Sequence, residues 1–213
     1  MERAHLGKRS FDFAAALLGM VFLAPLFVVV TCLIWWRDGR PILFRQARVG
    51  LNGREFTLYK FRTMAVCPKS EKGSFDAGDT SRITPTGCLL RRTKLDELPQ
   101  LWNVFKGDMS LVGPRPEVRK WVEAYPERWA RVLALRPGIT DPASLVYRHE
   151  EELLAQAADP EAYYRDSILP HKLDLYEDYA GTRSFAGDLG LIFRTVLSVL
   201  SPDHHDPMSH NQA

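Results

Sequence analysis

The longest uninterrupted apolar stretch runs from Phe13 to Trp36, without a charged residue. About 24 residues of helix are roughly 36 Å long, enough to cross a bilayer core of about 30 Å, so the stretch predicts membrane association. Pro25 lies in its middle, where a proline removes a helix hydrogen bond and bends the axis. Basic residues flank both ends, Lys8 and Arg9 before it and Arg37, Arg40, Arg45 and Arg48 after it, so the positive-inside rule gives no direction. A helix-break-helix that dips into one leaflet and returns satisfies both observations. A single kinked spanning helix is the competing prediction, since membrane helices tolerate proline. Trp35 and Trp36 mark the interface in either case. The run is too long for a signal peptide and ends without a small-x-small cleavage site.

Beyond it the period changes. Ile42 to Gly50 and Glu55 to Met64 read as two strands around Leu51-Asn52-Gly53-Arg54, and the Asn-Gly step is a strong hairpin signal. Lys60 and Arg62, two apart, share a strand face; they either meet a phosphate or are ordinary solvated residues. Cys67 to Thr80 lacks apolar periodicity and predicts a loop. Thr84-Pro85-Thr86-Gly87 turns into a short helical piece ending at Arg91 and Arg92. Leu98, Leu101, Trp102 and Phe105 then recur at helical spacing, forming either core or a lipid-facing stripe, and Gly107 closes that helix. Pro99 belongs in the helix's first turn, which puts the N-cap between Asp96 and Leu98.

In the last third, Arg136-Pro137-Gly138-Ile139-Thr140 predicts a turn back toward the centre of the chain. A helix-prone acidic segment from Glu150 to Ala158 ends at Asp159-Pro160. Tyr163, Tyr164, Ile168 and Leu169 either shape a pocket or pack. Leu189, Leu191, Ile192, Val196, Leu197 and Leu200, with Arg194 beside them, predict an amphipathic helix that lies flat on headgroups or packs on the core. The pattern is that of an α+β, mainly helical protein with three parts: an apolar segment over 1–36, a catalytic or binding body over 37–200 and a flexible tail over 201–213.

A chain of 213 residues has ample length for one domain with a core. Its net charge of +2 decides nothing, but cations dominate up to Val66, as expected of a surface facing anionic lipid or phosphorylated ligands. Nothing calls for a nucleic-acid partner. Cys32, Cys67 and Cys88 share no metal-ligand spacing and read as reduced thiols. His204 and His205 lie in the polar tail.

The chemistry concentrates around Asp96-Glu97. Arg91, Arg92 and Arg115 are close in sequence, and Gly113-Pro114-Arg115-Pro116 is a stiff turn that holds an arginine fork in a narrow range of directions, suited to an oxyanion. Read alone, Asp96 is a helix cap and Glu97 a solvated acid. Read with the arginines, the pair is a phosphate-handling site near a helix start.

Five motifs carry a family resemblance: Lys8-Arg9-x-x-Asp12; Tyr59-Lys60-Phe61-Arg62-Thr63-Met64; Leu95-Asp96-Glu97-Leu98-Pro99-Gln100-Leu101-Trp102-Asn103-Val104; Gly107-Asp108-Met109-Ser110-Leu111-Val112-Gly113-Pro114-Arg115-Pro116; and Arg136-Pro137-Gly138-Ile139-Thr140. In this order, over about Lys8 to Leu200, they strongly resemble the bacterial sugar transferases, small monotopic phosphoglycosyl transferases that start glycoconjugate synthesis on polyprenyl phosphate. The resemblance implies transfer of a sugar 1-phosphate from a UDP-sugar to undecaprenyl phosphate with release of UMP. It makes Asp96 the nucleophile that carries a covalent phosphosugar, with Glu97 and Mg²⁺ at the same site. It puts Arg91 and Arg115 near the phosphates and Asp188 at a further acidic position; Lys60 and Arg62 are candidates for substrate binding.

The resemblance also implies a re-entrant helix bent at a Ser-Pro step, amphipathic interfacial helices, and a site on the cytoplasmic face of the bacterial inner membrane, where downstream glycosyltransferases would take the product. Pro25 stands at the proline position, but Ala24 replaces the serine. The chain looks like the minimal catalytic unit, without the block of several membrane helices that larger relatives carry. Two other readings remain: a membrane-anchored module that binds phosphorylated lipid or nucleotide sugar without turnover, and an enzyme of similar fold with another acceptor. The resemblance implies a product that enters O-antigen, capsule, exopolysaccharide or glycoprotein-glycan synthesis.

Overall fold

The computed structural model describes residues 2–66 and 81–200. The expected loop from Cys67 to Thr80, Cys67 itself, the His204-His205 pair and the 201–213 tail lie outside the described residues.

The apolar stretch forms helix α1 (Glu2–Phe22) and helix α2 (Ala24–Arg37). Pro25, in the first turn of α2, has no N–H to offer the Val21 carbonyl, and the chain breaks at Leu23. The two axes are bent by 61°, and no single helix among the described residues is long and apolar enough to cross a membrane. The helix-break-helix geometry is therefore present. Phe22 and Trp36 are 84% and 86% exposed, and Leu18, Val21, Val28 and Val29 are also exposed. On the opposite side Ala16, Val30 and Ile34 are buried against the rest of the molecule.

The polar first half of α1 is tied into the body by three side chains. Lys8 Nζ donates to the Val112 carbonyl at 3.0 Å. Arg9 donates to the carbonyls of Val104, Phe105 and Met109. The buried Asp12 carboxylate accepts from the Ser110 hydroxyl at 2.8 Å and the Leu111 N–H at 3.2 Å.

Strands β1 (Leu43–Val49) and β2 (Glu55–Phe61) form the expected antiparallel hairpin, with Phe44 opposite Lys60 and Gln46 opposite Leu58. Asn52 and Gly53 both have positive φ, 55° and 75°, as the Asn-Gly signal requires. Helix α3 (Pro85–Arg92) opens on Thr84, whose side chain accepts the Gly87 N–H at 2.9 Å.

The next helix starts later than the sequence predicts. Leu95–Glu97 form a 3₁₀ turn entered through Lys94 in the left-handed region (φ 54°), and α4 (Gln100–Lys106) begins after Pro99. Of its apolar stripe, Leu98, Leu101 and Phe105 pack inward, while Trp102 is half-exposed and stacks on Phe105 with centroids 5.5 Å apart.

The segment expected to turn back at Arg136–Thr140 does more than turn. Strand β3 (Ser110–Val112) and strand β4 (Gly138–Thr140) pair in parallel, Ser110 with Gly138 and Val112 with Thr140. A Cβ at Gly138 would lie 2.1 Å from the Gly113 nitrogen, so only glycines permit this approach.

Helices α5 (Arg119–Ala124), α6 (Pro126–Val132), α7 (Pro142–Val146), α8 (Glu150–Gln156), α9 (Pro160–Tyr163) and α10 (Leu169–Thr182), with a π turn over Tyr164–Ile168, enclose the largest core. Trp121, Trp129, Tyr164, Ile168, Leu169 and Tyr176 fill it, so the aromatic weight after Asp159-Pro160 packs. The last helix, α11 (Phe185–Leu200), is amphipathic as expected. It meets α1 through an edge-on Phe11–Phe185 contact and exposes Phe185, Leu189 and Phe193. The α+β, mainly helical class therefore holds.

Candidate active site

The left-handed Lys94 and the 3₁₀ turn set Asp96 and Glu97 into the space between β2, α3 and the Pro114-Arg115-Pro116 turn. Glu97 is held from two directions. Lys60 Nζ, from β2, donates to Oε1 at 2.8 Å. Arg115 Nη2 donates to the same oxygen, and Nη1 lies 3.5 Å from Oε2. Burial alone would push the Glu97 carboxyl up, but the charges of Arg115 and Lys60 outweigh it and hold the group well below the usual carboxylate range. Arg115 is raised in turn, chiefly by the Glu97 charge. Lys60 is lowered by its burial, with Glu97 opposing.

Asp96 differs sharply. It is 7% exposed, and its Oδ1 is buried with no hydrogen-bond partner. Burial raises its pKa; the Lys60 charge opposes that, and Glu97 adds to it. Two adjacent carboxylates are thus separated in character: one ionised and gripped, the other desolvated, with one buried oxygen left without a hydrogen-bond partner.

The other predicted residues distribute as follows. Arg91 Nε donates to the Thr63 hydroxyl at 2.9 Å and Nη1 pairs with Glu151 at 2.6 Å, near enough for its charge to act on Asp96. Arg62, expected to share a strand face with Lys60, instead lies just past the end of β2 and reaches elsewhere: its guanidinium donates to the carbonyls of Asp38, Gly39 and Arg40. Asp188 is not gathered with the pair. Its carboxylate takes Lys8 Nζ at 2.5 Å and the Tyr179 hydroxyl at 2.7 Å, behind the end of β3.

A second buried polar group lies beneath Arg115, and sequence reading missed it. Asp141, fully buried, caps α7 by accepting the Ser144 N–H at 2.9 Å, and its charge reaches Arg115. Glu117 receives Arg48 Nη1 at 3.2 Å and the Tyr164 hydroxyl. The Tyr176 hydroxyl, fully buried, has no partner. The parallel strands explain the juxtaposition, because β3 runs into Arg115 and β4 into Asp141. The only sequence signal was Asp141-Pro142, a helix-start pattern.

An oxygen set of this kind fits Mg²⁺. That ion is held by one or two carboxylates plus substrate phosphates rather than by a full protein cage, and Asp96 Oδ1 is a buried oxygen without a partner. Among the described residues no group of three His, Cys, Asp or Glu side chains gathers to hold a metal.

Comparison with known proteins agrees with the motif pattern. The model of a family described as bacterial sugar transferase matches residues 3–202. The uncharacterized sugar transferase EpsL of Bacillus subtilis is 44% identical over 133 residues, which cover 62% of this chain and 65% of that one. A UDP-N-acetylgalactosamine-undecaprenyl-phosphate N-acetylgalactosaminephosphotransferase of Aeromonas hydrophila is 33% identical over 197 residues, 91% of this chain but 44% of that protein. The exopolysaccharide production protein PSS of Rhizobium leguminosarum is 38% identical over 203 residues, covering 91% and 95% of the two chains. The chain thus spans less than two thirds of the first two relatives and nearly all of the third.

Proposed function

The chain belongs to the bacterial sugar transferase family, and from that membership and the unpartnered oxygen of Asp96 we propose that it transfers a sugar 1-phosphate from a UDP-sugar to undecaprenyl phosphate, releasing UMP. The observation that carries the assignment of roles is the asymmetry of the carboxylate pair. A nucleophile needs a free oxygen, and Asp96 Oδ1 has no partner. Glu97 is occupied by Lys60 and Arg115.

In the first step an Asp96 carboxylate oxygen attacks the sugar-bearing phosphorus. The bond from that phosphorus to the bridging oxygen breaks, and UMP leaves with the electron pair. In the second an oxygen of undecaprenyl phosphate attacks the same phosphorus, the bond to Asp96 breaks, and the carboxylate is regenerated. Burial works for Asp96 here, because a poorly solvated carboxylate gives up little water on attack. Like-charge repulsion between carboxylate and diphosphate must be offset; Arg115 and Lys60 bring positive charge to the pair, and Arg91 adds to it. Mg²⁺ held through Asp96 and Glu97 would supply further neutralisation at the diphosphate.

The names of relatives support the donor and acceptor classes, and the rhizobial relative supports a place in exopolysaccharide or similar glycoconjugate synthesis as the first membrane step. The bent apolar pair supports a re-entrant placement with the site at the cytoplasmic surface of the inner membrane, and the outward apolar faces of α1 and α11 fit headgroup contact. A site at that boundary meets a lipid phosphate from one side and a nucleotide sugar from the other.

The test is UMP release by purified protein given undecaprenyl phosphate, Mg²⁺ and a panel of UDP-sugars, with Asp96→Asn alongside. Release with one or two sugars, lost in the variant, supports the reaction and names the sugar. Release unchanged in Asp96→Asn removes Asp96 as nucleophile. Tight sugar-nucleotide binding without release favours the binding module.

A further inference from the structure

The last turn of α2 and the loop that leaves it, here taken as one loop segment, turn their charges in opposite directions. Trp35 and Trp36 are 59% and 86% exposed, and Arg37 and Arg40 are also exposed. No ion pair among the described residues holds either arginine. The loop's one acid, Asp38, is half-buried, and its carboxylate accepts the Thr84 hydroxyl at 3.2 Å. From below, Arg62, itself 7% exposed, donates to three successive carbonyls: Asp38 at 2.5 Å, Gly39 at 2.9 Å and Arg40 at 2.9 Å. The backbone is therefore clamped and the negative charge turned inward. Two guanidinium groups and two indoles are left on the surface.

We infer that this loop binds the headgroups of anionic phospholipids, with Arg37 and Arg40 on phosphate oxygens and Trp35 and Trp36 at the level of the glycerol backbone. The inference rests on the membrane placement proposed above and adds a lipid preference to it. Indoles with an apolar body and a polar N–H settle at that depth. Guanidinium groups match phosphate in geometry and charge. A zwitterionic headgroup also carries phosphate, but its own cation cancels the field, so the arginines distinguish the two. Each arginine near such a surface is worth about a fivefold preference, so the pair gives roughly 25-fold at low salt.

The full chain in nonionic detergent micelles is titrated with brominated phosphatidylglycerol or brominated phosphatidylcholine, reading tryptophan quenching. The expected result is half-maximal quenching at a phosphatidylglycerol content at least about 10-fold lower than for phosphatidylcholine, a gap that closes at high salt. Arg37→Gln/Arg40→Gln is expected to keep the phosphatidylcholine curve and lose the gap, while Arg54→Gln, an exposed arginine elsewhere, keeps both. Equal curves for the wild type, or a gap retained in the double variant, overturn the lipid preference alone. No quenching by either lipid overturns the membrane placement and this inference with it, while UMP release tests the chemistry separately.

Discussion

Arg115 grips the Glu97 carboxylate as a fork, Nη2 on Oε1 and Nη1 at 3.5 Å from Oε2, and Lys60 shares the first oxygen. One acid of the pair is thereby committed to cations. A lysine at 115 keeps the charge but reaches only one oxygen. Arg115→Lys is expected to lower the rate of UMP release about 100-fold, the scale of losing one transition-state donor, while the thermal midpoint moves little because Lys60 remains. Initial rates beside a melting curve check both halves.

Asp96→Asn separates chemistry from stability. UMP release and the phosphosugar-bound protein seen by intact mass are both expected to vanish. The variant is nonetheless expected to be at least as stable as the wild type at pH 7, by on the order of 1 kcal/mol, since it removes a buried charge with an unpartnered oxygen. The sign follows from the direction of the shift: Asp96 is raised in the folded state, so its ionisation opposes folding above the folded pKa. That penalty fades as pH falls toward the ordinary aspartate value. Urea unfolding in EDTA should show the two proteins diverging at neutral pH and converging in acid.

Glu97 has the opposite sign. Its folded pKa is held well below the ordinary value, so the stability it contributes is complete above about pH 4.5 and is lost as pH falls through the folded pKa. Glu97→Gln should be less stable than the wild type at pH 7, by about 3 kcal/mol if the two cations are left uncompensated, and the gap should narrow only in strong acid. A pH series of unfolding midpoints decides it.

Gly113→Ala introduces a Cβ that would sit 2.3 Å from the Arg136 carbonyl oxygen. The parallel strands must separate or shift, which costs at least about 1–3 kcal/mol of overpacking. Because the same strands carry Arg115 and Asp141, UMP release is expected to fall along with the melting temperature. An unchanged rate would show that Arg115 is placed without the strand pair.

Pro25→Ala restores a backbone N–H at the break between α1 and α2. A straighter helix pair is expected, with part of the protein adopting a spanning orientation. Cysteine labelling near the amino terminus from each side of sealed vesicles reads the two orientations; one-sided labelling in both proteins would show that the bend does not depend on proline.

What the sequence made legible was local. The Asn-Gly turn appears with both residues at positive φ, and Pro25 marks the break of the apolar helix. Thr84-Pro85 opens α3 as its residue types predict. Less legible was whatever depends on pairing at a distance. Three-residue strands such as Ser110–Val112 and Gly138–Thr140 have no periodicity to detect, so the link between Arg115 and Asp141 was invisible. Lys60 and Arg62 look equivalent by alternation, but one meets Glu97 and the other clamps a loop, because β2 ends at Phe61, between them. Asp188 carried no local hint that Lys8, at the other end of the chain, would be its partner. The displaced start of α4 has a single-residue cause, since left-handed Lys94 makes room for a 3₁₀ turn before Pro99.

The hold of Lys8, Arg9 and Asp12 on the strand and helix around Val104–Val112 bears on how a form of the protein without an exposed apolar face could be engineered. Cutting the chain before Arg37 would remove the Asp12 carboxylate that accepts from the Ser110 hydroxyl and the Leu111 N–H, along with the apolar segment. Solubility is better sought by recolouring the outside of the bent pair with polar side chains at Leu18, Val21, Phe22, Val28 and Val29. The amino-terminal helix would then stay as a bolt through the body of the molecule while losing the outward apolar face proposed to meet lipid.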